Sequence, residues 1–213
     1  MTCRSGVVVI LIIGLLSVTL GRPAISTAAE FSADFIRAAE GKKFTSRVYV
    51  KGKMRREEMM EDGKLAVINI ARLDKGVSWT LMPDQKMYME ISLEGTKVGA
   101  MEDIEEMEAR AKMKIVGKET VNGYACEKRQ YQGQREGLMT VWYSPKLNYP
   151  VKIHVMPLGG EGEMTMDYRN IKVGKIPDSK FEIPSGYSKF AMPGMPGGMP
   201  PGMPGVPGMG KKP

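Results

Sequence analysis

Few side chains in this sequence could run nucleophilic or metal chemistry: one histidine, two cysteines and nineteen methionines. His154 lies in "VKIHVMP", where it alternates with Ile153 and Val155 and so points away from them. A nucleophile–base pair would need a serine or Cys126 beside it, and no nucleophile motif surrounds either. His154 is expected as an ordinary residue on the polar side of a strand. The acids Glu102, Asp103, Glu105, Glu106 and Glu108 cluster within a helix-like run, where they would form its solvated face. No glycine pattern leads from a strand into a helix as a phosphate cradle requires. Histidine and cysteine are too scarce for a zinc site. These residues describe a non-enzymatic protein with no cofactor.

Methionine carries the remaining chemistry. Met192, Met195, Met199, Met203 and Met209 fall in the closing segment "AMPGMPGGMPPGMPGVPGMGKKP" at spacings of 3, 4, 4 and 6. Thioether sulfur is a soft ligand suited to Cu(I), so copper capture is one reading of the tail. No histidine or cysteine assists there, and prolines stiffen the approach. Seven Pro and seven Gly in 23 positions cannot bury enough apolar surface to offset ordering entropy. Residues 191–213 are therefore read as a disordered tail of polyproline character with no metal, reaching about 25 Å. Thirteen methionines besides Met1 belong to the body of the chain, concentrated in "MRREEMM", "LMPDQKMYME", "MEDIEEMEARAKM" and "GEMTM". Unbranched, polarizable side chains line surfaces that re-pack around varied apolar ligands, and they also fill ordinary cores. Both readings stand at this point.

The N-terminus sets the compartment. Arg4 precedes the uncharged run "GVVVILIIGLLSVTLG", and small residues follow in "RPAISTAAE". This is the pattern of a secretory signal over residues 1–29, cleaved after Ala28 or Ala29, and it falls short of the ~20 apolar residues a membrane span needs. Export to the periplasm as a soluble protein is expected. The net charge of +7 drops by the two charges of Arg4 and Arg22, and residues 30–190 keep +3 once Lys211 and Lys212 are set aside. That balance excludes a nucleic-acid footprint and allows transient contact with an anionic membrane surface. Cys126 alone remains after cleavage, and its alternation with Tyr124 predicts burial.

Residues 30–190 form one domain in this reading. "FSADFIRAAEGKK" has Phe31, Phe35 and Ile36 at helical spacing and predicts a first helix. "AMEDIEEMEARAKMK" predicts a second, with Met101, Ile104, Met107 and Ala111 on one stripe. Elsewhere the period is two, punctuated by Asp62-Gly63, Asp74-Lys75-Gly76, Pro83-Asp84 and Asn122-Gly123, all turn chemistry. Eight to ten strands result. They predict a strongly curved antiparallel sheet, a half-open β-barrel covered by one or two helices, with a hollow between helix and sheet.

Three stretches resemble a known family. "KMRREE…NIARLDKGVSWTLMPDQKMYMEI" is similar to the opening sheet of the periplasmic lipoprotein carrier (Lol) superfamily, and "NIKVGKIPDSKFEIPSGYSKF" to its ending. "VGKETVNGYACEKRQY" and "TVWYSPKLNYPVKIHV" resemble a secreted Lol-like branch of unassigned function. The resemblance implies a helix-capped half-barrel whose hydrophobic cavity holds lipid acyl chains. It also implies an arginine on an early strand that holds the lid closed, at the position of Arg55; with Arg56 adjacent, only one of the two faces inward. The expected apolar lining is Trp79, Leu81, Met87, Met89, Met101, Ile104, Met107, Val141 and Trp142. The expected function is a periplasmic binding protein for acyl chains or another apolar ligand, with a lipid or lipidated protein as partner. The alternative is an envelope protein-interaction or stress-sensing domain; copper binding by the tail ranks behind both.

Overall fold

Alternation with a two-residue period folds as predicted, into strands. The structure, a computed structural model, describes residues 29–93, 113–133, 137–159 and 162–190. Its strands are β1 (Glu30–Ala39), β2 (Lys42–Lys51), β3 (Met54–Glu61), β4 (Lys64–Arg72), β5 (Val77–Met82), β6 (Met87–Ser92), β7 (Lys114–Val121), β8 (Tyr124–Gly133), β9 (Gly137–Ser144), β10 (Tyr149–Met156), β11 (Met164–Val173) and β12 (Ser188–Lys189). They make one sheet in the order β12-β6-β5-β4-β3-β2-β1-β11-β10-β9-β8-β7. Two antiparallel meanders, β1–β6 and β7–β11, are joined where β1 pairs with β11. The short β12 lies parallel to β6.

The sheet is open and curved. β8 and β11 are three strand spacings apart, about 14 Å on a flat sheet. Yet Asn122, in the β7–β8 turn, donates to Asp167 Oδ1 at 2.6 Å and to the Tyr168 carbonyl at 2.8 Å on β11. Only a sheet that curls back on itself brings the hairpin tip there. Asn122 and Gly123 have φ of 50° and 83°, the left-handed pair that a two-residue hairpin requires.

The first predicted helix is a strand. Phe31, Ala33 and Phe35 are 1%, 0% and 3% exposed, a period of two, and they sit between β2 and β11. A separation of four puts Phe31 and Phe35 on one side of a strand as well as of a helix, and pairing on both edges decides the outcome. Glu40 and Gly41, with φ of 50° and 73°, turn the chain into β2. The second helix candidate, 100–114, lies outside the described residues except for Met113 and Lys114, which lead into β7. Among the described residues the helical structure is one 3-10 turn, Asp178–Phe181. Among the described residues the strands number twelve, the additions being β1 and the two-residue β12.

The two faces of the sheet have different fates. After β11 the chain crosses one face as a strap, residues 174–190, burying Ile176 and Phe181 against Ile68, Ile70, Trp79 and Leu81. Backbone carbonyls of the strap accept bonds from Lys51 (Ile176 O, 3.2 Å), Arg56 (Lys180 O, 3.0 Å) and Arg72 (Phe181 O, 3.2 Å). The Ile176 N–H donates to Glu30 Oε1 at 2.7 Å. On the opposite face Phe31, Ala33, Phe35, Val48, Val50 and Tyr168 form a second core, with Tyr149 edge-on to Phe31 and Tyr168.

Candidate functional site

Strand register assigns each side chain to a face, because directly opposed residues share one. The face opposite the strap carries Phe35, Arg37, Ser46, Val48, Arg55, Glu57, Asn69 and Thr80 in β1–β5. Met59, Met82, Met87, Met89, Met139, Met164 and Met166 lie on the same face. All seven are half-buried. By contrast Met54 and Met156 are on the strap face, and Met60 follows a register shift and is 55% exposed.

This distribution bears on the two readings of methionine. No methionine is fully buried among the described residues; the fully buried apolar positions are Phe, Tyr, Trp, Val, Ile, Leu, Ala and Cys. Met166 and Met54 pack against two of the cores from their edges. The half-open layer consists of flexible thioether side chains able to adjust to an apolar contact.

A charged cluster sits in that layer. Glu57 is 3% exposed, and its Oε1 accepts from Arg37 Nη2 and Ser46 Oγ, both at 2.7 Å. Its Oε2 accepts from Arg55 Nη2 at 2.9 Å. Arg55 and Arg37 flank the Phe35 ring, at 4.9 and 5.6 Å from its centroid. Burial works to raise the Glu57 carboxyl, but Arg55, the Ser46 hydroxyl and Arg37 together hold it below the usual range.

Of the expected lining, Arg55, Met87, Met89 and Val141 are on this methionine face. Arg56 points to the other side, with Tyr49 and Ile70, so one arginine of the pair faces each way. Trp79 and Leu81 are on the strap face beneath Phe181, and Trp79 Nε1 donates to Glu90 at 2.9 Å. Trp142 is also on that face, packed on Cys126, Leu147 and Val151, its Nε1 bonded to Glu119 at 2.8 Å. Met101, Ile104, Met107 and the methionines of the tail lie outside the described residues. Arg37, Ser46, Glu57 and Met139 were not anticipated, and Met59, Met82, Met164 and Met166 come from the methionine-rich stretches without having been named in the expected lining. The two-residue period of "FTSRVYV" and "MRREEMM" carried that signal, once it is known which residues oppose one another.

Other reactive groups are placed elsewhere. His154 shares its side of β10 with Thr140 and Thr165, its Nε2 at 2.7 Å from Glu163. Cys126 is 3% exposed, and burial pushes its thiol upward. It borders a cleft of about 490 Å³ at the β7–β8 hairpin, lined chiefly by Lys118, Glu119, Thr120 and Lys146. A protonated, buried thiol in a charged cleft is a poor nucleophile.

A family model described as "Domain of unknown function (DUF4412)" matches residues 36–148. No curated protein matches the sequence. An uncharacterized conserved protein from Thermus thermophilus is similar in structure, with a TM-score of 0.55, 11% identity, and coverage of 78% of this chain and 90% of that one. MucB, whose Pseudomonas aeruginosa form is also solved with MucA, follows with a TM-score of 0.50 and 12% identity. There the alignment covers 75% of this chain and 59% of MucB, so the chain spans well under two thirds of that protein. A LolA superfamily protein from Nitrosomonas europaea is also among the similar structures, as the motifs anticipate (TM-score 0.38, 11% identity, 74% and 91% covered). These likenesses are of fold.

Proposed function

The chain belongs to the DUF4412 family, and from that premise we propose that it is a non-enzymatic binding protein of the bacterial envelope. Its methionine face takes an apolar ligand, an acyl chain foremost. The observation that carries this reading is the set of seven half-buried methionines on one face of a sheet whose fully buried positions are taken by other residue types. Acyl chains offer no hydrogen bonds, so they are held by area and shape, and flexible thioether side chains adjust to both. The secretory pattern of residues 1–29 supports delivery to the periplasm, with residues 30–190 as the working domain and residues 191–213 as a solvated tail. Protein purified from its own envelope should release a recurring acyl lipid into organic solvent, identified by mass spectrometry. Repeated empty extracts, with no uptake of added acyl probes, would refute the proposal.

A second reading, docking of an envelope protein, is favoured by β7. It is an edge strand that pairs with β8 alone among the described residues, and Ile115 and Val116 are 60% and 52% exposed. Such an edge accepts an added strand. New protection of the Ile115–Glu119 amides from hydrogen exchange in the presence of an envelope protein, with no lipid recovered, would favour it.

A further inference from the structure

Thioethers are not spread evenly over the methionine face. "LMPDQKMYME" folds as the β5–β6 hairpin, where Met82 stands directly opposite Met87. Met89 lies two residues further along β6, so alternation keeps it on the same side as Met87. All three are half-buried. Directly opposed residues have Cβ atoms about 4.5–5.5 Å apart, and the diagonal from Met82 to Met89 is about 7–8 Å. With three rotatable bonds per side chain, the sulfurs can converge above this triangle. The backbone beneath is held firmly. Gln85 and Lys86 N–H groups donate to the Met82 and Pro83 carbonyls, both at 3.2 Å, and the Ser188 N–H donates to the Lys86 carbonyl at 2.9 Å.

The donor set selects the ion. Among the described residues no three His, Cys, Asp or Glu side chains are grouped for a metal; the donors grouped on this hairpin are neutral, soft sulfurs. Glu90, the acid next to Met89, alternates to the strap face, where it bonds Trp79 and Lys189. Thioethers suit Cu(I) in preference to hard or divalent ions. Desolvation cost rises with the square of the charge, so a half-buried set of neutral donors also favours a monovalent ion. Met164 and Met166 repeat the two-residue spacing on β11, but Val155 and Ile153 stand opposite them on β10, and Ala39 and Arg37 on β1. No third sulfur faces that pair. The edge beside β6 is also where the chain passes into its methionine-rich sequence: the Phe190 N–H donates to the Tyr88 carbonyl at 2.7 Å, and five methionines follow Phe190. We propose that Met82, Met87 and Met89 form a three-thioether site for Cu(I). This goes beyond the apolar-ligand reading and does not rest on it.

Anaerobic titration of the full chain with Cu(I) against a chromogenic Cu(I) chelator tests it. The chain should withdraw Cu(I) from the chelator, and should still do so when Met192, Met195, Met199, Met203 and Met209 are all replaced by Leu. In that background, replacing Met82, Met87 and Met89 by Leu should weaken binding about tenfold or more. Leu nearly conserves the volume of Met, and thermal melts check that each variant folds. If the triple replacement does not fold, Met87→Leu alone gives the same reading, because Met87 is the vertex nearest the other two. Met164→Leu with Met166→Leu should change nothing. X-ray absorption at copper should show a shell of sulfur only. No withdrawal of Cu(I), binding lost with the five later methionines, or binding unchanged in the folded hairpin variant overturns the site. Laurate titration of the hairpin variant, whose leucines keep the face apolar, separates failure of the copper site from failure of the apolar reading.

Discussion

Phe181→Ala is expected to destabilise the domain by about 3–5 kcal/mol, a fall in Tm on the order of 10 °C for a domain of this size. Phe181 is 0% exposed and closes the core formed by Ile68, Ile70, Trp79 and Leu81. Removing the ring leaves a cavity roofed only by backbone, because the strap there is a single 3-10 turn. The turn cannot collapse inward freely: Arg56 and Arg72 hold the carbonyls of Lys180 and Phe181, and Arg72 also pairs with Asp74 and Glu182. An unrelaxed cavity belongs at the upper end of that range. Phe44→Ala, a ring 60% exposed, is the matched control and should stay within about 0.5 kcal/mol of wild type. Thermal or urea unfolding of the two variants checks the difference. Equal effects would mean that the strap is not part of the cooperative unit.

Glu57→Leu is expected to cost a similar amount, about 3–5 kcal/mol near neutral pH, because it removes the buried carboxylate that Arg55, Arg37 and Ser46 all bond. The greater part of that cost lies with Arg55, since Arg37 is 40% exposed and screened by solvent. The pH dependence distinguishes this from simple packing loss. The Glu57 carboxyl is held below the ordinary glutamate value of 4.5 in the folded protein. Its contribution is therefore fully present above that value and is lost as pH falls through the lower folded one. The stability gap between wild type and Glu57→Leu, measured by urea unfolding, should be wide near pH 7 and narrow as pH drops below 4.5. A gap that is constant with pH would show that the ion cluster contributes nothing as charge.

Hairpin positions were legible in the sequence because their cause is local. Asp62-Gly63 and Asn122-Gly123 adopt positive φ, and few other residue pairs do so at low cost. The opposite orientations of Arg55 and Arg56 were also legible, since alternation along a strand needs no partner. What eluded the sequence depends on distant segments. Phe31 and Phe35 satisfy helix and strand spacing alike, and the choice is made by β11, more than a hundred residues away. Trp79 and Leu81 are apolar enough to line a ligand site, but a strap from the far end of the domain claims them for its own core. The charge cluster was hidden for the same reason. In "MRREEMM" Glu57 is one of several charges, and only pairing across β2 puts Arg37 against it.

If one face of the sheet receives an apolar ligand through its methionines, as proposed, nuclear magnetic resonance will register it in the full chain carrying carbon-13-labelled methionine methyl groups and titrated with laurate. The methyl signals of Met59, Met82, Met87 and Met89 should shift and saturate together, with those of Met54, Met60 and Met156 unmoved, because the latter lie on the strap face or in solvent. Shifts confined to Met54, Met60 and Met156, or no shift anywhere at high laurate, would contradict the claim.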